Sequence, residues 1–144
     1  MDILEAGPRR FRLVLADDHE DLLREIQVLL RTEFDILQAV TDGQALIDAA
    51  CEWKPDAVIA DIQMPGVNGI EACHRIVEKG FCNVALILTM HSEMLLVEQA
   101  LRAGIRGYVL KVDAAEELIP AVRSALGGFL YLSRGVSRKQ EVHI

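Results

Sequence analysis

The chain has 144 residues, of which 51% are hydrophobic and 26% are charged, and its formal net charge is −7. A chain of this length forms one domain with a sizeable core, and so apolar a composition excludes intrinsic disorder. The negative charge argues against nucleic-acid binding by this chain alone, since compact nucleic-acid binders carry a net positive charge.

The distribution of apolar residues and cysteines predicts a cytoplasmic protein with no membrane contact. The longest unbroken apolar run, residues 84–88, is far too short to cross a bilayer. The first ten residues contain no apolar stretch of the kind found in signal peptides. Cys51, Cys73 and Cys82 match no metal or redox spacing, and we expect them to be small buried residues in a reducing compartment.

Five short apolar runs alternate with helical patterns along the chain. The runs start at intervals of about 22 to 28 residues and lack strict alternation, which is typical of strands buried on both faces of a parallel sheet. They cover residues 11–16, 34–40, 56–61, 84–89 and 107–111. Apolar residues at helical spacing follow each run, and Asn68, Ser92 and Asp113 are candidate residues for opening the last three helices.

This strict alternation predicts an α/β fold, a three-layer αβα sandwich. Right-handed crossovers place helices on both faces of a five-stranded parallel sheet, for which the flavodoxin-like order 2-1-3-4-5 is common at this length. Residues 10–132 form the predicted domain. Residues 133–144 lose the periodicity and are interpreted as a tail or the start of a linker.

Polar residues end four of the five predicted strands. Asp17 and Asp18 follow the first, Asp61 ends the third, Thr89 ends the fourth and Lys111 ends the fifth. Each has an ordinary interpretation alone, as a helix-dipole acid, a turn residue, a strand residue or a solvated charge. Because ligand sites in open α/β sheets lie outside the carboxyl ends of the strands, their coincidence favours one common site.

The chemistry of these residues predicts phosphoryl transfer onto a carboxylate. Clustered carboxylates repel one another, and a hard divalent cation such as Mg²⁺ relieves the repulsion while sharing phosphate oxygens. Asp61 is the candidate nucleophile, since an aspartate forms an acyl phosphate. Lys111 and Thr89 would hold the transferred group. We interpret His19 and His91 as residues at the rim of this site that are not ligands.

The chain resembles the receiver domain of bacterial two-component response regulators. The matching segments, which lie within about residues 10–132, are LVLADDH (13–19), DAVIADIQMPGVNG (56–69), LTMH (88–91) and AGIRGYVLK (103–111). The residues of the last two segments are most similar to the corresponding motifs of receivers that precede a LuxR-type helix-turn-helix output domain. The resemblance implies a phosphorelay protein that catalyses only its own phosphorylation and dephosphorylation.

Site roles follow from this resemblance. It implies that Asp61 accepts the phosphoryl group from a sensor histidine kinase. Asp18, Asp61 and the backbone carbonyl of Gln63 would bind Mg²⁺ directly, and Asp17 would act through water. Thr89 and Tyr108 would form the switch, with Tyr108 turning inward as Thr89 moves; without the resemblance, Tyr108 is a half-buried strand aromatic.

The resemblance also implies partners. The phosphorylated receiver would form a homodimer, and DNA would be bound only through an output domain that this sequence lacks. The chain is then either a receiver separated from its output domain or a single-domain receiver.

Two other functions remain as alternatives. An aspartyl-nucleophile phosphatase would carry an acid two residues after the nucleophile, where this chain has Gln63. A flavin-binding module would need a loop rich in Ser, Thr and Gly after the first strand, where this chain has Asp17, Asp18, His19 and Glu20.

Overall fold

The computed structural model describes residues 9–136 and alternates strands with helices throughout that range. A 3₁₀ turn, Lys111–Asp113, precedes the last helix. In chain order the elements are β1 (Arg12–Ala16), α1 (Glu20–Arg31), β2 (Asp35–Val40), α2 (Gly43–Trp53), β3 (Ala57–Ala60), α3 (Gly69–Glu78), β4 (Ala85–Thr89), α4 (Met94–Arg102), β5 (Gly107–Leu110), α5 (Ala114–Leu126) and β6 (Tyr131–Leu132).

The sheet is parallel and its order is β2-β1-β3-β4-β5-β6. The predicted three-layer sandwich and the order 2-1-3-4-5 are confirmed. The prediction of five strands differs by one short strand, since β6 adds two residues to the edge of β5. A two-residue strand is too short to carry a periodicity that the sequence could show.

Two hydrophobic clusters, one on each face of the sheet, form the core. Side chains from α1 and α5 pack on one face, and side chains from α2, α3 and α4 pack on the other. Successive residues of β1 alternate between the two clusters, with Leu13 and Leu15 in one and Val14 and Ala16 in the other. Burial on both faces explains why the strands read as continuous apolar runs.

The helix starts agree only in part with the predicted caps. The Asn68 side chain accepts a hydrogen bond from the Glu71 amide and caps α3, as predicted. Ser92 does not cap α4, which begins at Met94 after Glu93 with no side-chain cap. Asp113 precedes α5 without capping it, because its carboxylate accepts hydrogen bonds from Ser133 and Gly135 instead.

Two residues of the predicted tail pack against the domain. Ser133 and Val136, which were assigned to the tail, are fully buried against the domain. The rest of the predicted tail, 137–144, lies outside the described residues.

Cys73 and Cys82 are buried as expected, whereas Cys51 is exposed on α2 and the expectation for it was wrong. No helix within residues 9–136 has the length and apolarity that crossing a bilayer requires.

Candidate functional site

The ends of three strands bring Asp17, Asp61 and Lys111 together. Asp17 follows β1, Asp61 follows β3 and Lys111 follows β5. The register pairs Ala16 with Ala60, so the next residues of both strands leave the sheet side by side, and the Asp61 amide donates to the Ala16 carbonyl at 3.0 Å. The parallel arrangement therefore places these side chains at one edge, as predicted.

The Lys111 ammonium joins the two carboxylates. Its Nζ lies 2.9 Å from Oδ2 of Asp17 and 2.9 Å from Oδ2 of Asp61, and all three side chains are at most 9% exposed. Burial by itself lowers the pKa of Lys111, but hydrogen bonds and charge interactions with Asp17 and Asp61 outweigh it, so the pKa is raised above its usual value. The site thus holds a charged lysine between two acids.

The backbone around Asp61 holds its carboxylate in place. Oδ1 of Asp61 accepts a hydrogen bond from the Ile62 amide at 2.7 Å. The Gly69 amide, at the start of α3, donates to the Ile62 carbonyl at 2.8 Å. A Cβ at position 69 would lie 1.9 Å from the Asp61 carbonyl oxygen, so only glycine allows α3 to approach this closely.

His19 lies closer to the acids than the sequence indicated. Its Nδ1 is 3.1 Å from Oδ1 of Asp17, 3.3 Å from Oδ1 of Asp18 and 3.9 Å from Oδ2 of Asp61. Its amide also donates to Oδ1 of Asp17 at 2.9 Å. His19 lies near the site as predicted, its contact with three carboxylates was missed, and the prediction that it is not a metal ligand stays a prediction. Its position directly after two acids was the available signal.

The donor atoms of this cluster suit a divalent cation. One carboxylate oxygen each from Asp17, Asp18 and Asp61 and a ring nitrogen of His19 all lie within 4.8 Å of one another. Carboxylate oxygens are hard donors, which Mg²⁺ and Ca²⁺ prefer. Gln63 lies two residues after Asp61 with an exposed side chain, and the role of its carbonyl stays a prediction.

Thr89 and Tyr108 form a second group, which meets at the loop after β4. Thr89 ends β4 and is fully buried, and its hydroxyl accepts a hydrogen bond from the His91 amide at 3.3 Å. The Tyr108 hydroxyl donates to the His91 carbonyl at 2.6 Å. In the described part of the chain, these hydroxyls bond to the loop after β4 rather than to the carboxylates.

Tyr108 already points inward in this structure, although the resemblance associates that position with phosphorylation. Its ring is fully buried and belongs to the core cluster that contains α4. Burial, with the charges of Glu93 and Asp61, raises the pKa of its hydroxyl, which therefore stays a neutral donor. The acceptor at His91 explains how a buried hydroxyl is satisfied here.

The family model of the response regulator receiver domain matches residues 13–123. The chain belongs to this family. The receiver therefore shares its fold and its place in phosphorelay signalling with response regulators, and its acidic cluster fits a divalent metal site.

Curated relatives are longer than this receiver. The transcriptional regulatory protein DesR of Bacillus subtilis is 36% identical over 118 residues, which are 81% of this chain and 58% of DesR. The transcriptional regulatory protein PdtaR of Mycobacterium tuberculosis is 35% identical over 86% of this chain and 60% of its own length. The chain thus spans less than two thirds of these relatives.

Solved structures agree with this fold. A LuxR-family two-component response regulator from Aurantimonas matches with a TM-score of 0.80 and 30% identity, covering 93% of this chain and 99% of that chain. The isolated receiver domain of RcsB from Salmonella enterica matches with a TM-score of 0.81 and 26% identity, covering 90% and 98%. A further match, at 26% identity, a TM-score of 0.81 and coverage of 90% and 67%, shows two RcsB dimers bound to DNA.

Proposed function

We propose that this receiver accepts a phosphoryl group on Asp61 from the phosphohistidine of a sensor histidine kinase. The observation that carries the proposal is the Asp61 carboxylate itself, which is buried, oriented by the Ile62 amide and paired with Lys111 beside two further acids. A carboxylate held in this way is already positioned to attack a phosphoryl group, which a simple turn residue would not need to be.

The transfer forms one bond and breaks one. A carboxylate oxygen of Asp61 attacks phosphorus, and the phosphorus–nitrogen bond of the donor breaks with its electron pair remaining on the imidazole. No general base is needed, because Asp61 is paired with an ammonium as a carboxylate. Lys111 then faces the new phosphoryl oxygens as a point charge, and Thr89 hydrogen-bonds to them after a movement of its strand end.

The metal of this site is proposed to be Mg²⁺. Asp18, Asp61 and the Gln63 carbonyl would hold it directly, with Asp17 acting through water. When bound, the ion supplies charge neutralisation for the phosphoryl oxygens. The protein is not a metabolic enzyme under this proposal, since it catalyses only its own phosphorylation and dephosphorylation.

Phosphorylation is proposed to change an interaction surface rather than to start a metabolic reaction. Thr89 and Tyr108 meet at the His91 backbone, so a movement of Thr89 toward Asp61 would alter the loop that accepts the Tyr108 hydrogen bond. We propose that this receiver acts in the cytoplasm as part of a longer protein. The change would let that protein form a homodimer and control DNA binding by its output domain. The RcsB dimers bound to DNA support this part, and DesR and PdtaR are named as transcriptional regulatory proteins.

Intact mass spectrometry tests the proposal. Incubated with Mg²⁺ and acetyl phosphate, the wild-type chain should gain one phosphoryl group, and Asp61→Asn should gain none. Asp48→Asn, which removes an exposed acid from α2, is the matched control and should gain one group. A wild-type chain that gains no mass, or an Asp61→Asn variant that gains as much as wild type, would overturn the proposal.

A further inference from the structure

The segment after α5 lies along the edge of the sheet, next to the site. Tyr131 pairs with Gly107 and Leu132 with Tyr108, and the Ser133 amide donates to the Tyr108 carbonyl at 3.0 Å. Val136 is fully buried in the same cluster as Tyr108. Residues 131–136 are therefore part of the domain, and they begin beside β5, the strand that Lys111 follows.

Ser133 uses its hydroxyl twice, on both sides of Lys111. Its Oγ accepts a hydrogen bond from the Leu110 amide at 3.0 Å and donates one to Oδ2 of Asp113 at 2.8 Å. Ser133 is fully buried, so neither bond has water as a ready substitute. Leu110 immediately precedes the 3₁₀ turn that begins with Lys111, and Asp113 ends that turn.

Asp113 is turned toward the segment rather than toward its own helix. Its Oδ2 also accepts from the Gly135 amide at 3.0 Å, and it makes no capping bond to α5. A Cβ at position 135 would lie 2.6 Å from a Leu110 side-chain carbon, so the glycine allows the segment to approach. The carboxylate thus ties the turn to residues 133–135.

The middle residue of the turn, Val112, is 86% exposed. The turn is held on the sheet side by the pairing of Leu110 with Thr89 and on the helix side by a bond from the Ala114 amide to the Lys111 carbonyl. The Lys111 side chain nevertheless places its ammonium 2.9 Å from two separate carboxylates. The bonds of Ser133 to Leu110 and Asp113 add to these contacts and help to fix the direction in which the Lys111 side chain leaves the backbone.

We propose that Ser133 is a positioning residue for Lys111, acting through Leu110 and Asp113. This inference rests on the proposed role of Lys111 in holding the phosphoryl group. It has a reciprocal consequence, since a coupling between two sites acts in both directions. A change in the partners of Lys111 on phosphorylation alters the hydrogen bonds of residues 133–135, which connect the domain to the chain that follows.

Two variants remove the two ends of this connection. Ser133→Ala deletes the hydroxyl, and Asp113→Ala deletes its acceptor at a half-buried position, which keeps the test open if the buried Ser133→Ala variant does not fold. Asp113→Asn keeps an acceptor oxygen and is expected to behave as wild type. Ser124→Ala removes a half-buried hydroxyl from the far end of α5 and is the matched control.

Nuclear magnetic resonance of the unphosphorylated protein gives the direct readout. The two Hε protons of Lys111 should have different shifts in wild type, Asp113→Asn and Ser124→Ala, because a fixed ammonium holds them in different surroundings. They should become equivalent in Ser133→Ala and Asp113→Ala, while the thermal midpoints show that both variants are folded. Lys111 resonances that stay unchanged in both folded variants would overturn the inference.

Phosphorylation provides the second readout and separates this inference from the proposed function. With acetyl phosphate and Mg²⁺, the rate should fall about tenfold in Ser133→Ala, as is reasonable for a misplaced binding group. The same substitution should have no further effect in a Lys111→Met background, whereas a general structural role would lower both rates. If the wild-type chain accepts no phosphoryl group but the Hε protons respond as described, the proposed function fails and the positioning role stands.

Discussion

Lys111 is the residue on which the two buried carboxylates of the site depend. Asp17 and Asp61 are nearly excluded from water, and both direct Oδ2 to the same ammonium. Two carboxylates that share one ammonium lie close enough to repel each other, and burial has removed their hydration. The Lys111 ammonium offsets both the repulsion and the lost hydration. Removing it leaves buried charge without compensation, whereas removing one acid relieves part of the repulsion.

We expect Lys111→Met to lower the free energy of unfolding at pH 7 by about 3–5 kcal/mol, the cost typical of deleting one partner of a buried ion pair. Urea denaturation measures it, and Lys79→Met, at an exposed position on the end of α3, should change little. Adding Asp61→Asn to Lys111→Met should recover part of the loss. A double variant as unstable as the single one would contradict this electrostatic account.

The pH dependence of this stabilisation follows from the raised pKa of Lys111. The folded state binds the lysine proton more tightly than the unfolded state, so the contribution is fully present below the usual lysine pKa of 10.5 and is lost as pH rises through the raised value. Wild type should therefore lose stability above about pH 10.5 more steeply than Lys111→Met. Parallel urea titrations across that range would show equal slopes if Lys111 were not held by the acids.

At the scale of the elements, α3 packs against the strand end that carries Asp61. The helix begins at Gly69, whose missing side chain lets it meet the Asp61 backbone. The same glycine amide holds the Ile62 carbonyl, so the start of α3 and the loop after β3 form one unit. A larger residue there has to move the nucleophile or the helix.

We expect Gly69→Ala to destabilise the domain by about 1–3 kcal/mol, the range for forcing extra atoms into a packed region. Phosphorylation by acetyl phosphate should slow as well, since the Asp61 backbone shifts. Gly127→Ala is the control, because a Cβ there would come no nearer than 3.4 Å to its neighbours. Chemical denaturation that ranks Gly127→Ala as the more damaging change would refute this role for Gly69.

The elements that carry Asp17, Asp61 and Lys111 could be predicted, because the carboxyl ends of parallel strands lie at one edge of the sheet for any loop conformation. The contact of His19 with three carboxylates was indicated only by its position after two acids, because the distances depend on the direction of one exposed side chain. The contacts of Ser133 could not be predicted, because it follows the last helical repeat of apolar residues. The two-residue strand before it is too short to show an apolar pattern. The start of α4 was also missed, because Ser92 resembles a cap but the loop after β4 continues to Glu93.

At the scale of the whole molecule, Tyr108 and the segment after α5 pack in the same layer of the fold. The layer with α2, α3 and α4 shares its cluster with Tyr108 and Val136, whereas α1 and α5 pack on the opposite face. Phosphorylation at Asp61 would thus act on one layer through Thr89 and Tyr108, and on the segment after α5 through Lys111. That segment is where a longer chain would continue.

Asp61 is proposed to be the one carboxylate that receives the phosphoryl group. Borohydride reduction of the acetyl phosphate-treated protein, which converts an aspartyl phosphate to homoserine, followed by peptide mass mapping, identifies the modified residue. We expect homoserine at Asp61 when Mg²⁺ is present and little modification when the metal is chelated. Homoserine at Asp17 or Asp18 with Asp61 intact would contradict it.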